Sequence, residues 1–380
     1  MRATALLAAT AAAAAVSATP YGSPVWRRSG TSSKAPIFKR QNDTNPFEGR
    51  KLFANPEWSQ KLDVTHDAFM ARGDTESANK VRAIQQIGTF VWVSNIASLR
   101  NIDAAIAAAR AEKEATGEDQ IVGLVLYNLP DRDCSAGESA GELVGREGLE
   151  RYKTDYIAPY AEKVSAATDL TFAIVLEPDS LANLVTNLGI EACAEAAPLY
   201  EEGIAHAIAS LQFDNVHLYL DAAHAAAIFA KVVAQAGNNT RIRGYSTNIS
   251  NYNPYSAIVR ENFTEWSNSW DEDHYAQSLA PHLEEAGLPT RFIIDQGRVA
   301  LPGARKEWGE WCNVAPSGFG IKPGTPVNNT LVDSIVWVKP GGESDGECGL
   351  EGAPRAGVWF DEFTQQLVEN AHETIVPIES

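Results

Sequence analysis

The stretch Phe172-Ala-Ile-Val-Leu-Glu-Pro-Asp-Ser180 sets a carboxyl group at the end of an apolar run. Such a run, stopped by proline, reads as a buried strand over 172–177, because proline has no N–H to give to a sheet ladder. Asp179 then stands just past the strand end, on a stiff support with apolar residues beneath it. A carboxyl so placed can have its pKa raised and hold a proton near neutral pH, which suits a general acid. Asp133, Asp221, Asp295 and Asp345 also fall at or shortly after the ends of apolar runs. Any one of them alone is read as well as a loop or helix-cap residue. Five together point to a rim of carboxyl groups, the equipment for paired acid and base work.

Strand-like and helix-like runs alternate along the chain and would build that rim. Strands are expected at 89–93, 121–127, 172–177, 216–220, about 241–246, 292–294 and 335–338. Helices are expected within 57–86, around Ile102, Ala105, Ile106 and Ala109, and at 147–166, 194–211, 225–237, 272–287 and 356–371. Repeated βα alternation with apolar strands means a parallel sheet covered on both faces. No glycine-rich phosphate loop follows the first strand, which disfavours a nucleotide-binding doubly wound sheet. In a parallel α/β barrel the strand C-termini converge on one face, where active sites are built. Asn45-Pro-Phe-Glu-Gly-Arg50 reads as an irregular arm lying on the body.

The 380 residues, 44% apolar, are enough for a large core in one domain. Met1-Arg2, the Ala/Leu-rich run to Val16 and Ser17-Ala18 read as a secretory signal peptide over 1–18. Residues 19–40 read as a leader ending in a dibasic site, Lys39-Arg40, and 41–380 as the folded domain. Of the 31 Lys and Arg, six lie in residues 1–40, which hold no Asp or Glu; from Gln41 onward 25 basic residues face 49 acidic ones, a net charge of −24. Such a charge disfavours nucleic acid and anionic membranes. It suits an uncharged substrate and an acidic, extracellular medium. Cys134, Cys193, Cys312 and Cys348 are far apart; in a secreted chain they suggest two disulfides, with three possible connectivities. No cluster has metal-ligand spacing, so neither metal nor cofactor is expected. Sequons at Asn42, Asn238, Asn248, Asn262 and Asn328 are possible glycan sites.

Val125-Leu-Tyr-Asn-Leu-Pro-Asp-Arg-Asp-Cys134 and Val175-Leu-Glu-Pro-Asp-Ser-Leu-Ala182 resemble the two signatures of glycoside hydrolase family 6. The resemblance runs from about Asn45 to the C-terminus. It includes Tyr219-Leu-Asp-Ala-Ala-His224, Asn248-Ile-Ser-Asn-Tyr-Asn253, Trp308-Gly-Glu-Trp-Cys312 and Trp337-Val-Lys-Pro-Gly-Gly-Glu-Ser-Asp345. It implies a distorted, incompletely closed parallel β/α barrel, and cleavage of β-1,4-glucan with inversion by a monomeric enzyme. It implies disulfides joining Cys134 to Cys193 and Cys312 to Cys348. By the same match Asp179 is the proton donor, Asp133 the partner that raises its pKa, and Asp345 the candidate base. An inverting base leaves room for a water, roughly 6.5–9.5 Å from the acid. Tyr127 would crowd the sugar at the cleavage point and Ser139 help hold the attacking water. Trp92 and Trp311 match sugar platforms; Ser94, His224, Asn251, Lys339 and Glu343 match polar contacts. By residue type alone each tryptophan is more often core, and His224 more often structural.

Two departures set expectations of their own. Asp345-Gly-Glu-Cys-Gly-Leu-Glu-Gly-Ala-Pro-Arg-Ala-Gly-Val-Trp359 is too compact to roof a groove, where the cellobiohydrolases that this chain resembles carry a long loop. A short roof favours attack within a chain over threading from an end; release of cellobiose from ends is the alternative. The family's Gly-Trp-Leu-Gly-Trp-Pro is also missing: Asp221-Ala-Ala-His224 runs straight into Ala225-Ala-Ala-Ile-Phe-Ala-Lys-Val232. That predicts weaker grip on the leaving side. It also raises a rival of another class, a glucan-binding protein with little catalysis, against which the full set of matched carboxylates stands.

Overall fold

The computed structural model describes residues 44–222 and 226–378. The expected signal peptide and leader, and His224, lie outside the described residues. Among the described residues eight strands, all parallel, form one sheet: β1 (Lys51–Leu52), β2 (Val91–Val93), β3 (Gln120–Leu126), β4 (Thr171–Leu176), β5 (Val216–Asp221), β6 (Gly244–Thr247), β7 (Phe292–Asp295) and β8 (Val332–Val336). Neighbours run β3-β4-β5-β6-β7-β8, with β1 and β2 both paired to β3. The sheet curls until β8 approaches β2. There the Phe90 N–H donates to the Trp337 carbonyl at 3.0 Å, and the Trp92 indole N–H to the Val338 carbonyl at 2.8 Å. No strand ladder joins β8 to β2 among the described residues, so the barrel is distorted and incompletely closed.

Side chains alternate along each strand, as a pleated sheet covered on both faces demands. Val122, Leu124 and Leu126 of β3 join the layer packed under the helices. Ile121 and Val125 turn inward with Val175, Tyr219, Ile293 and Val336 to fill the barrel. Between them Gly123 makes room for the Phe90 ring, which a Cβ would meet at 2.5 Å. The outer layer is built from helices including α1 (Pro56–Ala71), α2 (Thr75–Ile84), α3 (Arg100–Thr116), α4 (Gly145–Arg151), α5 (Ala158–Ala166), α6 (Ser180–Thr186), α7 (Glu191–Ser210), α8 (Ala226–Ala236), α9 (Glu272–Glu285) and α10 (Asp361–Glu369). None of the described helices is long and apolar enough to cross a membrane.

The arm at 45–50 underlies the barrel floor. The Asn45 amide donates to the Asp333 carbonyl at 2.7 Å and Phe47 lies 6.5 Å from Tyr219. Above it Arg243 grips the Asp333 carboxylate with two bonds, at 2.8 and 2.7 Å, and Tyr219 adds a third at 2.8 Å. A buried pair so fully bonded fixes the arrangement of its elements more than it adds stability.

Several boundaries differ from the sequence reading, for physical reasons. The helix expected at 147–166 begins at Gly145 and widens into a π-helical segment, Tyr152–Ile157. It lies just ahead of Pro159, which has no N–H for an α-helical bond. The helix expected from 356 starts only at Asp361, because Trp359 bridges to Glu343 and the Phe360 N–H donates to Gly342 at 2.8 Å. The last strand is Val332–Val336 rather than 335–338. Val338 is taken out of the ladder, its N–H donating to the Asp295 carboxylate at 3.1 Å.

Candidate active site

The C-terminal ends of β3, β4, β7 and β8 hold the chemistry. Past β4 the backbone turns sharply: Glu177 and Asp179, on either side of Pro178, have φ of 47° and 64°. Residues other than glycine adopt that region at a cost of about 1–3 kcal/mol each, and positions that keep it cluster at functional sites. The turn is held from two sides. The buried Glu177 carboxylate accepts the N–H groups of Asn128 and Leu129, at 3.0 and 3.3 Å, which ties β4's end to the chain leaving β3. The Asp179 N–H donates to the Asp221 carboxylate at the end of β5, at 2.7 Å.

Past β3, Asp131 and Asp133 also have positive φ, 56° and 58°. The Asp133 carboxylate accepts the Ser139 N–H at 2.7 Å and its hydroxyl at 3.1 Å, and that hydroxyl lies 2.9 Å from the Tyr127 hydroxyl. The Tyr127 ring meets Trp92 edge to face at 5.3 Å, with the Arg132 guanidinium 4.3 Å from its centre. Cys134 is bonded to Cys193, which anchors this loop to α7. Past β8, Asp345 is buried and strongly held. Arg298 donates to it at 2.6 Å, the Asn313 N–H at 2.9 Å and the Tyr252 hydroxyl at 3.2 Å; the Lys339 ammonium lies 3.7 Å away. The second disulfide, Cys312 to Cys348, closes the loop beside it.

These loops enclose an open groove. One cavity of about 420 Å³ is lined by Asp179, Asp133, Asp345, Trp311 and Asn251, among others. A second, of about 600 Å³, takes in Ser94 and Glu343. The two share Trp92, Tyr127, Ser139 and Lys339, so they form one continuous cleft. The expected catalytic and sugar-contact residues Asp179, Asp133, Asp345, Tyr127, Ser139, Trp92, Trp311, Ser94, Asn251, Lys339 and Glu343 line this cleft, and His224 lies outside the described residues.

Electrostatics separate the carboxyl groups. Depth in the protein, then the like charge of Asp133, then that of Asp345, push the Asp179 pKa up to about 6, while Lys339 opposes the rise. By accessible area Asp179 is exposed, although protein surrounds it, because the solvent that it meets is the water of the groove. Dehydration therefore contributes less before a ligand fills the groove than after, and the like charges act throughout. Asp221, enclosed beneath, is raised well above the ordinary range by burial and then by Asp179. Asp295 is raised by burial too, but it is fully engaged: the N–H groups of Gly297, Val338, Lys339 and Ser250 all donate to it. Of the five rim aspartates, then, Asp221 and Asp295 hold backbone and Asp133, Asp179 and Asp345 face the groove.

Residues 47–371 match the family model described as glycosyl hydrolases family 6. The chain belongs to that family. It is 60% identical to "1,4-beta-D-glucan cellobiohydrolase CEL6B" of Podospora anserina, over 99% of this chain and 91% of that protein. It is 54% identical to "Endoglucanase-6B" of Humicola insolens, over 87% of this chain and 99% of that one. Among solved structures, endoglucanase CEL6B from Humicola insolens superposes with a TM-score of 0.85 at 53% identity, covering 87% of this chain and 100% of its own. CcCel6C, a glycoside hydrolase family 6 enzyme from Coprinopsis cinerea, gives 0.84 at 43% identity, over 88% and 100%.

The sequence reading of this family 6 glycosidase missed a groove residue and the buried side chains that hold Asp345. Arg298, Tyr252 and Asn313 hold Asp345, yet a search for acidic residues at strand ends passes over them. Trp308 lines the cleft with 61% of its surface exposed. It stands in the Trp308-Gly-Glu-Trp-Cys312 motif, three residues before Trp311. Trp270 stacks between Arg260 and His274 rather than facing the cleft. The sequon at Asn248 is a poor glycan acceptor: its amide donates to the carbonyls of Asn253 and Asp295 at 2.9 and 2.8 Å.

Proposed function

We propose that this family 6 enzyme is a secreted, monomeric glycosidase that cuts internal β-1,4-glucosidic bonds of cellulose and related β-glucans with inversion. Asp179 gives its proton to the leaving glycosidic oxygen. Asp345, oriented by Arg298 and Asn313, acts as base toward a water on the opposite face of the sugar. Asp133 keeps Asp179 protonated by like charge and takes part in steering its proton. Tyr127 crowds the sugar at the cut, and Ser139 holds the water. Trp92 and Trp311 offer their faces to the sugar rings, with Ser94, Asn251, Lys339 and Glu343 at their edges. Secretion is supported by the two disulfides, which persist in oxidising compartments.

The observation that carries the endo reading is the closed-off 345–357 loop. The Ser344 N–H donates to Val358 and the Gly357 N–H to Ser344, both at 2.9 Å, and Cys348 is tied to Cys312. The loop is stitched to its own base, with Arg355, Ala356 and Gly357 in the cleft wall, which supports a cleft with a short roof. Cellobiose release from chain ends is the second reading, favoured by the name of the Podospora relative. Viscosity of a soluble cellulose derivative, followed against reducing ends released, separates the two. Endo attack predicts a steep viscosity loss for few new ends. A viscosity that falls only in proportion to sugar release supports the end-acting reading. Sugar release no greater than that of Asp179→Ala overturns both.

A further inference from the structure

We propose that the cleft holds one more sugar, a third glucosyl unit on the Trp92 side of the cut, in a polar basin beyond Trp92. This rests on the endo reading above. The cavity of about 600 Å³ starts from Tyr127, Ser139 and Lys339, which it shares with the reacting end of the groove, and reaches past Trp92 to Asn55, Glu57, Asn95 and Asn101, which the other cavity lacks. That volume lies in the range of about 300–1,000 Å³ typical of ligand pockets, and its lining runs from Tyr127 past Trp92 to Asn101. Trp92 is fixed for platform work, since its indole N–H is spent on the Val338 carbonyl and its ring remains half-exposed.

The basin's walls come from three separate elements. Asn55 and Glu57 stand at the first turn of α1, and Asn95 and Asn101 at the start of the segment after β2. Lys61 and Glu343, 2.7 Å apart, form a partly buried ion pair in its wall. Amides, carboxylates and an ammonium offer both donors and acceptors, as a ring edged with hydroxyls requires. Nothing aromatic is needed at a position held by its edge. The consequence is a matter of length. An enzyme that removes disaccharides from an end needs a wall two sugars from the cut; here the space continues past the second sugar.

Cellohexaose labelled at its original reducing end tests this by product masses. The wild type is expected to release trisaccharide bearing the newly formed reducing end. Asn101→Trp, which fills the basin, is expected to lower the trisaccharide share about fivefold to tenfold in favour of disaccharide. Asn101→Ala should lower it about twofold to threefold, the scale of part of one net hydrogen bond. Turnover of an aryl cellobioside, which reaches only as far as Trp92, should stay the same in both variants. The proposal is overturned if the wild type makes no such trisaccharide, or if both variants give the wild-type pattern. Viscosity loss that persists alongside either result removes the basin alone; absence of viscosity loss removes the endo reading beneath it.

Discussion

Asp133→Asn isolates one charge at the centre of the site. The amide oxygen can still accept the Ser139 N–H, bonded at 2.7 Å in the wild type, so the loop should hold its shape. What is lost is the like charge that is the second-largest cause, after depth in the protein, of a rise in the Asp179 pKa from 3.8 to about 6. As one of several causes of that rise, it should account for on the order of one unit or less. In kcat/KM on a soluble glucan, the limb that falls with rising pH reports the acid of the free enzyme. The wild type should fall through a midpoint above the ordinary carboxylate value and no higher than about 6, because the groove of the free enzyme is wet. The variant should fall lower, by up to about one unit, so that at pH 7 it loses up to about tenfold more than it does at its own optimum. An unmoved limb, or one shifted to higher pH, would refute the reasoning that Asp133 keeps Asp179 protonated.

Arg298→Met leaves Asp345 buried with Lys339 as its remaining cation; losing one partner of a buried pair costs about 3–5 kcal/mol, and a denaturant midpoint equal to wild type contradicts the pairing. Trp92→Ala and Trp311→Ala should each weaken glucan binding by about 1 kcal/mol, about fivefold in KM; an unchanged KM would place those rings outside the sugar path. Burial raises Glu177 and Glu272 to about 7 from 4.5. Their protonated forms are favoured by folding, so their contribution is complete below about pH 4.5 and lost as pH rises through 7, by up to about 3 kcal/mol each. His217, held near 4 by burial and by Arg243, Arg50 and Arg241, acts in the opposite sense below 6.5. Wild type is therefore compared with Glu177→Gln/Glu272→Gln: the double variant should lose less stability from pH 5 to pH 8, and an equal or larger loss contradicts the assignment.

The strand-end logic reached the site because it uses only local information. Phe172 to Leu176 is apolar, Pro178 ends the ladder, and Asp179 has to emerge at the rim. Glu177 shows where such logic stops. It reads as the last residue of a strand, yet its carboxylate clamps N–H groups 48 and 49 residues away, and no local pattern signals that. Arg298 was hidden for the same reason, since its partner Asp345 is 47 residues on. The inner and outer faces of β3 were legible in its apolar run only as burial on both sides. Which residues meet Phe90 and which meet the helices follows from register, and register is set by the closing of the barrel. The late start of α10 has a local and a tertiary cause: Ala356-Gly-Val-Trp-Phe360 is a poor helix former, with Gly357 at φ 81°, and the bond from the Phe360 N–H to Gly342 recruits it to close the short roof.

The claim that Asp179 delivers the proton is tested most directly with Asp179→Asn on two substrates that differ in leaving group. A glucan needs its leaving oxygen protonated; an aryl cellobioside with a strongly acidic phenol does not. The account predicts that the variant loses about 10²–10⁴-fold in kcat on the glucan while turnover of the activated aryl glycoside stays within a few-fold of wild type. Equal losses on both substrates, or glucan hydrolysis close to wild type, would contradict it.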